Sequence, residues 1–197
     1  MNTESGGFFR IAVSLAVLGL FIIGCGHHYK RVYLQSEDAL AGVRTVGILP
    51  FENLTKFPDT GEIVADLFTT ELYSQHRFKI MERTKIQTYL EEHNDSLPEV
   101  IDRTYAQELG RKLGLDGVFI GSVSEYWYRL DRRSYRYLDE WEEPAVGINA
   151  RMVQVSTGEV IWAASSTRSS RDIFSVDRDH INRISQITLR QMAESLE

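Results

Sequence analysis

The chain has 197 residues, 43% of them apolar and 25% charged, which is enough apolar material for one packed domain and excludes a disordered chain. Lys and Arg number 22 against 28 Asp and Glu, and the net charge of −6 argues against nucleic acid as a partner, because phosphate affinity rests on basic side chains displacing counterions. The single cysteine, Cys25, excludes an internal disulfide framework and any multi-cysteine metal site.

At the N-terminus, Arg10 precedes the thirteen-residue run IAVSLAVLGLFII at 11–23. As a helix that run measures about 20 Å, short of a hydrocarbon core of about 30 Å. The length fits the apolar region of a secretory signal peptide. It ends Ile22-Ile23-Gly24-Cys25, which resembles the bacterial lipobox: an aliphatic residue, a small residue, then cysteine. The resemblance implies that 1–24 is a signal peptide and that a diacylglycerol is attached to Cys25. The mature protein is then anchored to a membrane by lipid rather than spanning it, since two or more acyl chains make a stable anchor. Gly26 stands where an Asp commonly retains such proteins at the inner membrane. The expected location is therefore the periplasmic face of the outer membrane. His27 and His28 lack a third positioned ligand, so they read as tether and not as a metal site.

Residues 26–42 show no clear hydrophobic period, and with Cys25 they read as a tether, 25–42. The folded domain then runs 43–197. Residues 43–51, VRTVGILPF, read as a buried strand ended by Pro50. Asp59 with Glu62 matches a capping box opening a helix, whose inner face carries Ile63, Val64, Leu67, Phe68 and Leu72. Residues 78–81 form a short strand, and a helix from Thr84 places Ile86 and Leu90 together. Thr104 with Gln107 is a second capping-box pattern, before a helix with Ala106, Leu109 and Leu113 inside and Gly114 at its end. A strand is expected over 117–130. Residues 145–155 alternate, with Val146, Ile148, Ala150 and Met152 on one face, and Ser156-Thr157-Gly158-Glu159 turns the chain into a return strand over 160–167. A last helix over 177–196 aligns Ile181, Ile184, Thr188 and Met192. This order predicts an α/β fold, a mixed β-sheet with packed helices.

Catalytic signatures are missing. There is no phosphate-binding loop, dinucleotide fingerprint, nucleophile elbow or paired-histidine zinc motif. Gly110, Gly114 and Gly117 fit helix termination and close packing better than a ligand loop. His76, His93 and His180 sit in polar settings and read as solvated helix faces and ends. Asp139, Glu140, Glu142 and Glu143 lack the glycine turn of a calcium loop. The expectation is no enzyme, no catalytic residues, no metal and no cofactor beyond the covalent lipid on Cys25.

Four stretches together resemble the CsgG-type family of bacterial lipoproteins, with LpoB-like cousins. They are VGILPFENLT at 46–55, FKIMER at 78–83, AQELGRKLGLDGVFIGSV at 106–123 and NARMVQVSTGEVIW at 149–162. The resemblance implies a periplasmic α/β domain that assembles with other envelope proteins. Channel-forming members of that family lend two β-hairpins per subunit to a membrane barrel. Those hairpins would fall at 122–145 and 165–177 in this chain. The first carries Arg132, Arg133, Arg136, Asp139 and Glu140 where a lipid-facing strand needs alternate apolar residues, and the second is too short for two spanning strands. The sequence thus favours a non-enzymatic assembly or adaptor component over an oligomeric secretion-channel subunit. It also favours it over an LpoB-like activator of peptidoglycan synthesis, because a seventeen-residue tether is short for reaching an inner-membrane synthase.

The remaining candidate is an aromatic and basic stretch. Tyr126, Trp127, Tyr128, Arg129, Arg133, Tyr135, Arg136, Tyr137 and Trp141 fall within sixteen residues. Tyr, Trp and Arg are enriched at binding hot spots, so these nine are the expected partner-binding residues, for other envelope proteins or for self-association. The competing expectation is that the aromatics cover the core of a solvent-edged hairpin.

Overall fold

The computed structural model describes residues 28–94, 98, 101–127, 144–169 and 181–197. In chain order these form β1 (His28–Leu34), α1 (Glu37–Ala41), β2 (Thr45–Ile48), β3 (Glu52–Asn53), α2 (Thr60–Gln75), β4 (Lys79–Ile80), α3 (Arg83–Glu92), α4 (Arg103–Leu113), β5 (Gly117–Trp127), β6 (Ala145–Gln154), β7 (Val160–Ser169) and α5 (Ile181–Ala193), with a 3₁₀ turn over Glu194–Leu196.

The strands make a single mixed sheet in the order β1-β7-β6-β5-β2-β4, with β3 also pairing β5. Strands β2, β4 and β5 are parallel, and each parallel step needs a helical crossover. Strands β5, β6, β7 and β1 continue as an antiparallel meander. Alternation of side chains along the strands divides the core in two. Phe119 and Met152 point to one face, with Val64, Phe68 and Leu72 of α2 and Ile184, Leu189 and Met192 of α5. Val118, Ile120 and Val153 point to the other, with Ile86 and Leu90 of α3 and Ala106 and Leu109 of α4. The α2–α5 core is aromatic at its centre. The Phe68 ring stacks on Trp162 at 6.3 Å and meets Phe119 edge-on at 5.3 Å.

Several expectations hold. Every residue expected on the inner face of β6 is buried, as are Ile181, Ile184, Thr188 and Met192 of α5. Gly114 ends α4 in the left-handed conformation at φ 67°, and Gly110 packs so tightly that an added Cβ would lie 2.5 Å from Val155.

Other details differ. Residues 26–42, expected to be tether, hold β1 and α1. Strand β1 pairs with β7 along its whole length, from His28 with Arg168 to Leu34 with Trp162. Neither capping box forms. Asp59 precedes α2 at φ 58° with no side-chain cap bond, and the turn is closed instead by the Thr60 hydroxyl donating to the Phe57 carbonyl at 2.9 Å. At α4 the cap is Asp102, which accepts from the Tyr105 amide at 2.7 Å, while Gln107 reaches away to the Val155 carbonyl at 3.0 Å. Ile63, expected inside, is 41% exposed. The strand expected over 43–51 is shorter, β2 over Thr45–Ile48, and Leu49, Pro50 and Phe51 separate it from β3.

Candidate interaction surface

Among the described residues, helices cover one half of the sheet on only one of its faces. On the α3–α4 side that cover stops at β5 and the adjoining end of β6, and beyond it Arg31, Tyr33 and Arg151 are exposed while Asn149, Ala163 and Ser165 are half-buried. Cross-strand register there sets Arg31, Ser165, Asn149 and Ser122 in one row and Tyr33, Ala163 and Arg151 in the next. The small side chains at 163 and 165 leave a shallow trough of about 510 Å³ between the taller Tyr33 and Arg151. At the end of this face lies β1. Its only strand partner among the described residues is β7, so β1 is the edge of the described sheet. Val32, Tyr33 and Leu34 on it are 42%, 52% and 36% exposed.

The edge is nonetheless held firmly from behind. The Lys30 ammonium donates to the Gln191 carbonyl of α5 at 2.5 Å, and the Arg168 guanidinium donates to the Gln191 side chain at 3.3 Å. A rigid, half-apolar edge of this kind can accept a strand or an apolar face from another protein.

The expected partner-binding residues divide. Tyr126 is a core residue, 5% exposed, with its ring 6.5 Å from Phe57 and its hydroxyl 3.2 Å from Asn182 Oδ1. For this position the covering role applies, because β5 turns it towards α5. Trp127 closes β5, paired with Ala145. Tyr128, Arg129, Arg133, Tyr135, Arg136, Tyr137 and Trp141 lie outside the described residues, as does Cys25. Sequence reasoning missed Arg31 and Tyr33. The signal was weak, since HYKRVYL places a mixture of polar and apolar side chains on both faces.

Among the described residues no group of three His, Cys, Asp or Glu side chains is arranged to hold a metal. His93 stacks on Tyr89 at 4.0 Å at the exposed end of α3, and His76 ends α2.

Residues 29–179 match the family model described as curli production assembly/transport component CsgG. This chain belongs to the CsgG family. Its fold is shared with PelC from Paraburkholderia phytofirmans, solved as a dodecamer, at a TM-score of 0.57 and 19% identity over 86% of this chain and 96% of that one. Two further similar structures are the LpoB C-terminal domain from Salmonella enterica (TM-score 0.48, 16% identity, 64% of this chain and 82% of that one) and lipoprotein GNA1162 from Neisseria meningitidis (0.47, 18%, 67% and 88%). No curated protein matches the chain in sequence.

For a CsgG-family chain, the two stretches in which membrane hairpins were sought coincide largely with residues 128–143 and 170–180, outside the described residues. No helix among the described residues is long and apolar enough to cross a membrane.

Proposed function

We propose that this protein is a lipid-anchored component of the bacterial envelope that works by assembly rather than catalysis. It binds copies of itself, and through them other envelope proteins, at the periplasmic face of the outer membrane. The observation that carries the proposal is the sheet face over β6, β7 and β1 that no described helix covers, ending at the half-apolar edge strand β1. The fold it shares with PelC, a dodecamer, points to a second copy as the first partner.

The proposed anchor fits the position of β1. Only Gly26 and His27 separate Cys25 from the strand, a reach of about 10 Å. A domain so tied sits against its membrane. That geometry weighs further against reaching a synthase across the periplasm. The charges at 132–140 likewise leave the secretion-channel reading second.

The test is the native mass of the full lipoprotein extracted in mild detergent, with mass spectrometry of Cys25 for the lipid. A discrete multi-subunit species with acylated Cys25 is expected. A monomer at all concentrations would overturn self-association, and an unmodified Cys25 would overturn the anchor.

A further inference from the structure

The parallel strands β2, β4 and β5 are joined by two crossovers, from β2 through α2 to the neighbouring β4 and from β4 through α3 and α4 back past β2 to β5. The first, through α2, covers one face, and the second, through α3 and α4, covers the other. Where crossovers from neighbouring strands part to opposite faces, a crevice is left outside the carboxyl ends of those strands, here β2 and β4. In this fold it is a cleft of about 410 Å³.

Ile48 and Pro50 at the end of β2, with Ile86 and Leu90 of α3, give it an apolar floor. Its rim is charged. Arg83 spans from α3 to α2, with Nη1 2.5 Å from Asp66 Oδ1 and Nη2 3.1 Å from Glu62 Oε2. Further along α3, on the same stripe as Arg83, Gln87 donates to Glu91 Oε1 at 3.0 Å. One guanidinium, already committed to two carboxylates, therefore stands against three acidic side chains. The complement of this cleft is a cation with apolar flanks.

The chain carries that complement itself. Residues 128–137, YRLDRRSYRY, hold Arg129, Arg132, Arg133 and Arg136 against the single Asp131, interleaved with tyrosines and Leu130. Reach decides whose cleft this segment serves. Ile48 is level with Phe119, and β5 runs eight residues further to Trp127, about 26 Å beyond Ile48. Trp127 pairs with Ala145, so the intervening chain leaves and returns at that far end. Half of that excursion, fully extended, covers about 28 Å. Only the tip of a fully extended loop would reach its own cleft, and the rest of 128–137 would fall short of it. A neighbouring copy imposes no such limit.

We infer that the cleft at the end of β2 in one copy receives the basic, tyrosine-rich segment 128–137 of a second copy, an arginine meeting Glu62 and Glu91 and its flanking side chains covering Ile86 and Leu90. This rests on the self-association reading above. The contact joins two different surfaces, so its repetition closes a ring when the rotation between copies permits.

The test is charge exchange in the full-length lipoprotein in detergent, read as native mass. Arg132→Glu with Arg133→Glu should abolish the multi-subunit species, and Glu62→Lys with Glu91→Lys should do the same. Combining all four should restore it. Excess synthetic YRLDRRSYRY should dissociate the wild type, while the same peptide with its arginines replaced by glutamate should not. An oligomer indifferent to both charge pairs and to the peptide would overturn this inference while leaving self-association standing. A wild type that is monomeric throughout would overturn the self-association reading, and the inference with it.

Discussion

The Phe51 amide donates to the Gly61 carbonyl at 3.2 Å, and a Cβ on Gly61 would lie 1.8 Å from the Phe51 carbonyl oxygen. The first turn of α2 is thus pressed directly onto the chain leaving β2. No side chain fits between them. Gly61→Ala should destabilise the protein by about 3 kcal/mol or more, at or beyond the upper end of ordinary overpacking, because the obstacle is backbone. Chemical denaturation of the variant beside the wild type measures this. A loss below about 1 kcal/mol would show that α2 shifts easily.

Phe68 is fully buried and touches Phe51, Phe119 and Trp162, which links α2 to β5 and β7. Phe68→Ala should cost about 3–5 kcal/mol through lost burial and an unfilled cavity. A fall in the unfolding midpoint with an unchanged denaturant slope is the expected result.

Tyr126→Phe removes the hydroxyl that meets Asn182 and keeps the ring in the core. A loss of about 1 kcal/mol in stability is expected, with native mass and partner capture unchanged. Reduced capture at unchanged stability would return Tyr126 to the binding residues.

On the β1 edge, Tyr33→Asp with Val32→Lys adds charge to side chains that are about half exposed. Stability should move by no more than about 0.5 kcal/mol. Native mass should fall, because charge on an edge strand opposes pairing. Unchanged assembly would remove β1 from the contact.

Burial works against the charged form of Arg83, but its bonds and attraction to Asp66 and Glu62 outweigh that, and its pKa is raised. A group raised on folding contributes stability below its unfolded pKa and loses it only as pH climbs through the folded value. Both lie far above neutral pH, so the difference between wild type and Arg83→Gln should be flat between roughly pH 6 and pH 10 as far as Arg83 is concerned. Its partners Glu62 and Asp66 are 61% and 63% exposed, so the difference should be about 1 kcal/mol or less and shrink with salt. Unfolding at two salt concentrations checks both statements.

How much was legible depended on how completely each element buries one face. Helices α3, α4 and α5 and strand β6 sort their apolar residues to one side, so period alone located them and their inner residues. Strand β1 did not declare itself. With Lys30, Val32 and Leu34 on one face and Arg31 and Tyr33 on the other, neither row is apolar, and the strand exists because β7 offers it seven partners. The caps failed for a related reason. Asp59 and Thr104 have the right neighbours in sequence, but the close approach of Gly61 to Phe51 and the capping by Asp102 settle those turns differently.

The sequence by itself determined the α/β class, the CsgG resemblance, the paired strands around Gly158 and the lone cysteine behind an apolar run. Each is written in local order or periodicity. Only the tertiary structure decided that Tyr126 is core, that the described sheet ends in an edge at β1, and that Arg83, Glu62 and Asp66 meet beside the cleft at Ile48. These depend on strand order and on the faces the crossovers leave uncovered, which bring together residues distant in sequence and carry no local signature.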